Sequence, residues 1–297
     1  MTETVLAPAS DAAFARWLAD RAGDALVALR ETRGFADPDG LKADGDRISH
    51  ELLIDELARW RPADAVLSEE GVRDGADRQA ADRVWIIDPL DGTREYSEPG
   101  RTDWAVHVAL WRRTAGSRLT DGRPGSALAD ARPGTGPASG LGGRPDGGPA
   151  GELVAGAVAL PAQHVTLGTD APPAYPPLTG DRIRLAASRS RPPSFLASLA
   201  TELDAELVPM GSAGNKVAAV VQGKVDAYVH AGGQYEWDSA APVAVAKATG
   251  LYASRIDGSA LDYNRMNPRL PDLLVCRRDL ADELTAALAR LGVGRDD

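Results

Sequence analysis

The sequence of 297 residues is short of cysteine, has no excess of positive charge and lacks long apolar runs, and each of these features excludes a class of protein. Its single cysteine, Cys276, allows no disulfide within the chain, and the apolar run 273–275 before it favours a buried, inert thiol over a nucleophile. No apolar run approaches the roughly 18 to 20 residues of a membrane-spanning helix. Residues 1–10 lack the basic stretch and apolar core of a signal peptide, so we predict a cytoplasmic protein.

Acidic residues outnumber basic ones by 43 to 33, so the formal net charge is −10 and the pI is about 5.0. Such a surface repels nucleic-acid polymers and anionic membranes, so neither is expected as a partner. A small anionic substrate is still compatible, because bound cations can reverse the sign of the local field. The four histidines are scattered along the sequence and do not indicate a histidine cluster.

Apolar periodicity predicts two long helices near the start of the chain. The first covers about residues 11–30, and the second begins at Asp46 and ends before Pro62. Further along, short apolar runs predict strands that alternate with helices, which is typical of an α/β fold. The predicted strands are 66–68, 84–87, 104–111, 152–160, 183–187, 206–208 and 226–229, and the predicted later helices are 194–203, 215–222 and 237–249.

Residues 114–150 have no period and are rich in glycine, proline, alanine, serine and arginine. This composition predicts a flexible, solvated insertion between two paired strands. Around it we predict two lobes. Residues 1–170 would form an α+β lobe with most of the candidate site residues, and residues 171–297 an α/β lobe that supplies Asp238 and substrate-binding residues.

The most informative stretch is residues 85–93, which read Trp-Ile-Ile-Asp-Pro-Leu-Asp-Gly-Thr. A buried strand would deliver Asp88 at its carboxyl end, the edge at which open α/β sheets bind ligands. We expect Pro89 to end the hydrogen-bond ladder of this strand and Leu90 to turn its carbonyl outward, with Asp91 next in the chain. Oxygen ligands of this kind, without histidine or cysteine nearby, indicate Mg²⁺ or Mn²⁺ and not Zn²⁺.

Gly92 and Thr93 would then open a helical turn whose free N–H groups suit a phosphate. Three other acids also lie at predicted element ends, Glu69 after a strand and Asp46 and Asp238 before helices. By themselves such acids are as readily explained as helix caps and turn residues. They could equally be ligands that converge on one site.

The combination of Glu69-Glu70, the stretch 85–93 and Trp237-Asp238 before an alanine-rich helix resembles the inositol monophosphatase-like superfamily of lithium-sensitive metal phosphatases. The resemblance covers nearly the whole chain apart from 114–150. It implies an α/β sandwich of alternating α and β layers, a small phosphate ester as substrate and inhibition by Li⁺. It is also compatible with a homodimer, which the residues themselves do not indicate.

The resemblance further implies two or three Mg²⁺ per site, which Mn²⁺ can replace. Such ions bind the phosphoryl oxygens, lower the pKa of a bound water and neutralise the leaving alkoxide. A weaker third ion would touch Glu69. The first ion would be surrounded by Glu69, Asp88, the Leu90 carbonyl and Thr93, and the second by Asp88, Asp91 and Asp238.

Members of this family pair the threonine after the glycine with an upstream aspartate to activate the attacking water. By the resemblance Thr93 is that threonine, and Asp46, which lies 23 residues before Glu69, best fits the upstream position. Asp44 is the alternative, because residues 42–46 read Lys-Ala-Asp-Gly-Asp where relatives usually carry Ser-Pro-Val-Thr-x-Ala-Asp.

The residues after Thr93, Arg94-Glu95-Tyr96, look like those of the CysQ-type 3′(2′),5′-bisphosphate nucleotidases, whereas inositol phosphatases typically carry Thr-Asn-Phe there. The nucleotidases remove the 3′-phosphate of adenosine 3′,5′-bisphosphate, a by-product of sulfate activation. Residues 188–191, 211–216 and 236–238 also look like that branch. The candidate substrate-binding residues are Arg94, Ser188, Arg189, Lys216 and Glu236, and a second phosphate would be held among Arg189, Arg191 and Lys216.

The leading hypothesis is hydrolysis of that 3′-phosphate to give AMP and phosphate. A phosphatase for inositol 1-phosphate or fructose 1,6-bisphosphate would use the same ions with a different pocket. A third hypothesis is a non-catalytic regulator that keeps the fold and binds nucleotide or metal. The presence of every candidate ligand acid counts against it.

Overall fold

The computed structural model describes residues 6–71, 75–114 and 150–294. Within these ranges the chain forms α-helices and two five-stranded sheets. The helices are α1 (Asp11–Arg33), α2 (Pro38–Trp60), α3 (Gly75–Ala80), α4 (Thr93–Ser97), α5 (Phe195–Glu202), α6 (Ala213–Val221), α7 (Glu236–Ala248) and α8 (Ala281–Arg290). The strands are β1 (Ala65–Ser68), β2 (Arg83–Asp91), β3 (Ala105–Arg113), β4 (Gly151–Leu160), β5 (Val165–Gly168), β6 (Arg184–Ser188), β7 (Glu206–Met210), β8 (Ala227–Tyr235), β9 (Tyr252–Ser254) and β10 (Arg269–Cys276).

The first sheet has the strand order β1-β2-β3-β4-β5, with β1 parallel to β2 and the other neighbours antiparallel. Trp85 and Ile87 of β2 pack against α1 and α2, whereas Val84 and Ile86 face a core shared with α6 and α7. A strand buried on both faces needs apolar residues at successive positions, which explains the continuous apolar run in this part of the sequence.

The second sheet has the order β7-β6-β8-β10-β9, and β6 runs parallel to both of its neighbours. Its inner face packs on α6 and α7, and its outer face is covered by α5 and α8. The molecule is therefore a sandwich of helices, sheet, helices, sheet and helices. This confirms the predicted α/β sandwich of alternating layers.

The structure corrects two predicted element ends. Helix α2 does not begin at Asp46 but eight residues earlier, where Asp37 accepts a hydrogen bond from the Gly40 N–H (3.1 Å) and Pro38 occupies the first turn. Pro89 does not end β2, because the strand continues to Asp91 through a shift in register. Proline lacks an N–H and is tolerated at such a bulge.

Helix α2 approaches the end of β2 closely because residue 45 is a glycine. A Cβ at Gly45 would lie 2.8 Å from Cε1 of Tyr96 and 2.9 Å from Cδ2 of Leu90. The next residue, Asp46, is thereby brought beside the end of β2. A glycine inside a helix weakens it by about 1 kcal/mol, so here close packing overrides intrinsic propensity.

The predicted insertion falls outside the described residues except for its two ends, where the Thr114 N–H donates to the Ala150 carbonyl (3.0 Å) and extends the pairing of β3 with β4. The two sheets occupy successive stretches of chain, yet α6 and α7 of the later stretch pack on the first sheet. The division of the chain at residue 170 stays a prediction. None of the described helices combines the length and the apolar character that crossing a membrane would need.

Candidate active site

Three predicted ligand acids meet where β2 ends and α7 begins. Asp88 and Asp91 flank the bulge of β2, and Asp238 lies in the first turn of α7. Each offers a carboxylate oxygen, and these oxygens all lie within 4.8 Å of one another. We call Asp88, Asp91 and Asp238 the carboxylate cluster. Asp88 and Asp91 are only 1% and 8% exposed, so the cluster is a buried feature and not a solvated acidic edge.

The electrostatics of the carboxylate cluster fit a cation. Burial and the charges of Glu69 and Asp91 raise the pKa of Asp88 well above its usual range. Burial and the charge of Asp91 raise the pKa of Asp238 to about 6. Partial burial of the Glu69 carboxyl and the charges of Asp238 and Asp91 raise its pKa to about 7, although the residue as a whole is exposed. A divalent cation would relieve this repulsion, and an all-oxygen donor set suits a hard ion.

Asp91 also holds the N-terminus of α6. The Ser212 hydroxyl and the Gly214 N–H donate to Oδ2 of Asp91, each at 2.6 Å, and the Ala213 N–H donates to Oδ1 at 3.2 Å. Burial alone would raise the pKa of Asp91, but its contacts with His107 and Ser212 outweigh burial and hold that pKa at about 2. Asp91 thus stays charged and ties β2 to a helix from the later part of the chain.

His107 is a site residue that the sequence analysis missed. It is fully buried, its Nε2 lies 3.3 Å from Oδ2 of Asp91, and its Nδ1–H donates to the Trp237 carbonyl (3.0 Å). It comes to this place because it pairs with Asp88 in the antiparallel register of β3 and β2. A Cβ at residue 214 would lie 1.9 Å from Nε2, so the approach depends on Gly214. The signal available in the sequence was a polar ring inside an otherwise apolar strand.

Gly92 and Thr93 lie at the start of α4, as predicted. Gly92 has φ +86°, a conformation that favours glycine, and none of the described side chains caps the helix. A Cβ there would lie 3.1 Å from Cβ of Ser212 and 3.3 Å from the Asp103 carbonyl oxygen. The turn is therefore packed tightly against the start of α6.

The structure separates the two candidates for the base. Asp44 forms ion pairs with Arg33 and Arg47. Asp46 is half-buried, and burial together with the charge of Glu70 raises its pKa to about 7. A carboxylate already bound by two guanidinium groups is a poor proton acceptor, so the arrangement favours Asp46.

A cavity of about 530 Å³ extends from the carboxylate cluster toward β8. Its lining includes Asp91, Thr93 and Asp238. It also includes the cations Arg94, Arg191 and Lys216, which we call the basic group, together with Ser188, Ser190 and His230. A cavity lined by both acids and cations suits a small molecule with more than one anionic group, provided that bound metal ions neutralise the acids.

The three cations of the basic group differ in exposure. Arg94 and Arg191 are exposed. Lys216 is only 6% exposed, donates from Nζ to the Ser212 carbonyl (2.6 Å) and lies 5.3 Å from the ring centroid of Tyr228. Burial lowers the pKa of Lys216 against the opposing effect of Asp91.

Two predicted substrate-binding residues are engaged elsewhere. Nη2 of Arg189 donates to Oε1 of Glu95 and to Oε1 of Glu98, both at 2.9 Å. Glu236 is buried and accepts hydrogen bonds from the backbone N–H groups of residues 264 and 265. Neither is among the described residues that line the cavity. Arg94, Ser188 and Lys216 do line it, so their roles as substrate contacts are the ones this geometry favours.

A second cavity, of about 610 Å³, lies between α2 and β1. Two of its charged lining residues, Arg61 and Asp64, pair with Asp11 and Arg83, and Asp77 and Arg78 also line it. Among the described residues it brings together no three acids that could share a cation. Its larger size does not make it the better candidate for catalysis.

The chain is similar in sequence and in fold to known proteins. The model of the inositol monophosphatase family matches residues 3–116 and 177–291. The 3′-phosphoadenosine 5′-phosphate phosphatase of Mycobacterium leprae (strain TN) is 45% identical over 282 residues, which cover 94% of this chain and 93% of that protein. The 3′(2′),5′-bisphosphate nucleotidase CysQ of Escherichia coli (strain K12) is 27% identical over 262 residues, 83% of this chain and 91% of that protein.

Among solved structures, inositol monophosphatase II from Staphylococcus aureus MSSA476 superposes with a TM-score of 0.65 at 20% identity. The superposition covers 92% of this chain and 93% of that one. At this identity the likeness bears on the fold alone, which the two proteins share.

Proposed function

The chain belongs to the inositol monophosphatase family, and from this membership we propose that it is a Mg²⁺-dependent phosphomonoesterase that hydrolyses the 3′-phosphate of adenosine 3′,5′-bisphosphate to AMP and phosphate. The observation that carries the proposal is a buried carboxylate cluster beside a cavity that three cations also line. The relative that is 45% identical over 94% of this chain is named for the same substrate.

The metal-binding groups are proposed from the carboxylate cluster outward. Bound Mg²⁺ would act as a Lewis acid on the phosphoryl oxygens, lower the pKa of water and neutralise the leaving alkoxide. The groups that would hold the ions are Glu69, Asp88, the Leu90 carbonyl, Asp91, Thr93 and Asp238.

The chain's own groups would position the reactants. Asp46 would accept the proton of the attacking water, with the Thr93 hydroxyl orienting that water. The N–H groups of Gly92 and Thr93 would hold the phosphate at the start of α4. No side chain needs to form a covalent intermediate.

The basic group supports a substrate with two phosphates. Arg94, Arg191 and Lys216 line the same cavity as Asp91 and Asp238, so the cavity presents positive charge in a protein of net charge −10. Lys216 and Arg191 would pair with the phosphate that is not cleaved, and charge-assisted hydrogen bonds of this kind are the strong ones. Inositol 1-phosphate has a single phosphate and would leave this second contact unmade.

The test is phosphate release from three substrates with Mg²⁺, each repeated with EDTA. We expect kcat/KM for adenosine 3′,5′-bisphosphate to exceed that for inositol 1-phosphate and fructose 1,6-bisphosphate by ~100-fold, about 2.7 kcal/mol in the transition state. Comparable rates on the sugar phosphates would contradict the nucleotide specificity. No release from any substrate would favour a non-catalytic regulator.

The same proposal extends to the setting of the enzyme. We place it in the cytoplasm, acting on a soluble by-product of sulfur metabolism, and expect Li⁺ to inhibit it. A homodimer stays a prediction, which sedimentation of the purified chain would test.

A further inference from the structure

A buried polar network lies behind the first turn of α7. Glu236, the first residue of the helix, is 1% exposed, and its Oε2 and Oε1 accept hydrogen bonds from the N–H groups of Asn264 (2.6 Å) and Arg265 (2.7 Å). Glu236 is not among the described residues that line the site cavity. A charge this deeply buried needs a role other than contact with substrate.

Asn264 extends the network to α3. It is fully buried, with φ +60°, and its Oδ1 accepts from Nη1 of Arg78 at 2.5 Å. Nη2 of Arg78 donates to the Arg265 carbonyl (2.7 Å), and Gln79 donates to the Asn264 carbonyl (2.6 Å). Arg78 is itself only 4% exposed. We call Arg78, Asn264 and Glu236 the α7 anchor.

The α7 anchor links the first turn of α7 to α3. Glu236 lies two residues before Asp238 in the same helical turn, and the Tyr235 N–H donates to Oδ2 of Asp238 (2.6 Å). At its other end, Arg78 belongs to α3. The network thereby fixes the start of α7 relative to α3.

Stability alone does not account for such a network. Buried ionic groups carry a large desolvation penalty, and apolar replacements of the same volume are often equally stable. Their best-attested use is to specify one geometry. A metal site needs that kind of precision, because residues that orient its ligands typically change metal affinity 10- to 100-fold when they are mutated.

We infer that the α7 anchor positions Asp238 to bind a divalent cation. Glu236 acts as part of this anchor and not as a substrate contact. The inference rests on the proposed metal site. It assigns an effect on metal affinity to Arg78 and Asn264, although neither is among the described residues that line the site cavity.

The test measures Mn²⁺ binding by electron paramagnetic resonance on the full chain, without substrate. We expect Glu236→Gln to weaken Mn²⁺ binding about 10-fold, because one of its two N–H partners then faces an amide donor. The matched control is Asp226→Asn. Asp226 is also 1% exposed, accepts from the Arg184 N–H (2.8 Å) and pairs with that guanidinium, but it lies outside the described lining of the cavity. Its variant should lower Tm and leave Mn²⁺ affinity within about twofold of wild type.

Asn264→Gly provides a second variant that tolerates the left-handed backbone. It removes the Oδ1 that accepts from Arg78 and, at 3.4 Å, from Gln79, and it keeps the backbone N–H that donates to Glu236. We expect a smaller loss of Mn²⁺ affinity, about threefold. Should Glu236→Gln fail to fold, this variant decides the question. If the variants that fold bind Mn²⁺ as wild type does while Tm falls as in Asp226→Asn, the anchor only supports the fold and the inference is overturned. A separate outcome concerns the metal site itself. If wild type does not bind Mn²⁺, or if Asp88→Asn binds it as well as wild type does, the proposed metal site is wrong and the inference about the anchor no longer applies.

Discussion

The acids and the cations of the candidate site are held in different ways. The acids of the carboxylate cluster are held from several sides, by the bulge of β2, by the N-terminus of α6 and by the first turn of α7. In the basic group, Arg94 and Arg191 are exposed and only Lys216 is buried. This difference predicts that the proposed chemical step depends on preorganised groups, whereas the proposed choice among phosphate esters depends more on side chains that can adjust.

The largest expected effect comes from removing the central acid of the carboxylate cluster. Asp88→Asn should lower kcat by ~10³-fold or more, because Asp88 is the proposed ligand shared by two ions. It should leave the metal-free fold intact, since the pKa of Asp88 is raised by burial and by like charges, and a neutral amide relieves both. The measurement is kcat with saturating Mg²⁺, together with Tm in EDTA. A variant of near-normal rate would contradict the assignment of the ligands.

The repulsion among these acids should also be visible in how the stability of the metal-free protein depends on pH. The pKa values of Asp88, Glu69 (about 7) and Asp238 (about 6) are raised by burial and like charges. The native state then holds these protons more tightly than the unfolded chain, whose carboxyl pKa values lie near 4. Stability of the metal-free protein should therefore fall as the pH rises through these folded values.

The measurement is Tm in EDTA at pH 5 and at pH 8. We expect the lower Tm at pH 8, and Mg²⁺ at about 100 times its Kd should restore about 2.7 kcal/mol there. Asp88→Asn serves as the control and should flatten the pH dependence. An equal Tm at both pH values would show that the acids do not repel one another as the geometry implies.

These acids also show how far the sequence alone reaches. The buried strand with its acids and the glycine that precedes α4 were predictable because these residues are contiguous and local rules act on them directly. The continuation of the strand past Pro89 was not, because it depends on pairing with β3. The predicted start of α2 was wrong because Gly40 and Gly45 lower the helix propensity of this segment. In the structure, the packing of Gly45 on Leu90 and Tyr96 stabilises the helix. His107 was missed because its place depends on the register of β2 with β3 and on Gly214, far apart in sequence.

The Arg94-Glu95-Tyr96 signature pointed to the nucleotidase branch, and that resemblance is confirmed by the relatives. Only Tyr96 of these three residues lies outside the described lining of the cavity. Glu95 lines the cavity and also pairs with Arg189, whereas the Tyr96 hydroxyl donates to the Leu26 carbonyl (2.8 Å) and its ring packs edge-on against Trp104. A motif can thus mark a branch through packing, and spacing in a sequence does not distinguish packing from contact with ligand.

A smaller effect is expected from removing Lys216, the buried cation of the basic group. Lys216→Ala should raise KM for adenosine 3′,5′-bisphosphate by ~10-fold or more, the loss of one charge-assisted hydrogen bond. KM for adenosine 3′-monophosphate should change by only about twofold, since it lacks the second phosphate. Lys224→Ala is the control, because Lys224 donates to Gln163 (3.2 Å) and is not among the described lining residues. Equal changes with both substrates would remove the second-phosphate role of Lys216.

The smallest effect distinguishes two neighbouring arginines of the same loop. Arg191 lines the cavity and is exposed, so Arg191→Ala should raise KM for the bisphosphate ~5-fold, within the range of an exposed ion pair. Arg189 is already paired with Glu95 and Glu98, so Arg189→Ala should lower Tm slightly and leave KM within about twofold. Measuring KM and Tm for both variants compares a cation that is free to bind substrate with one that joins α4 to the end of β6. If Arg189→Ala raised KM more than Arg191→Ala, the sequence-based assignment of Arg189 to the substrate would be right, and the pairing with Glu95 would have to open when substrate binds.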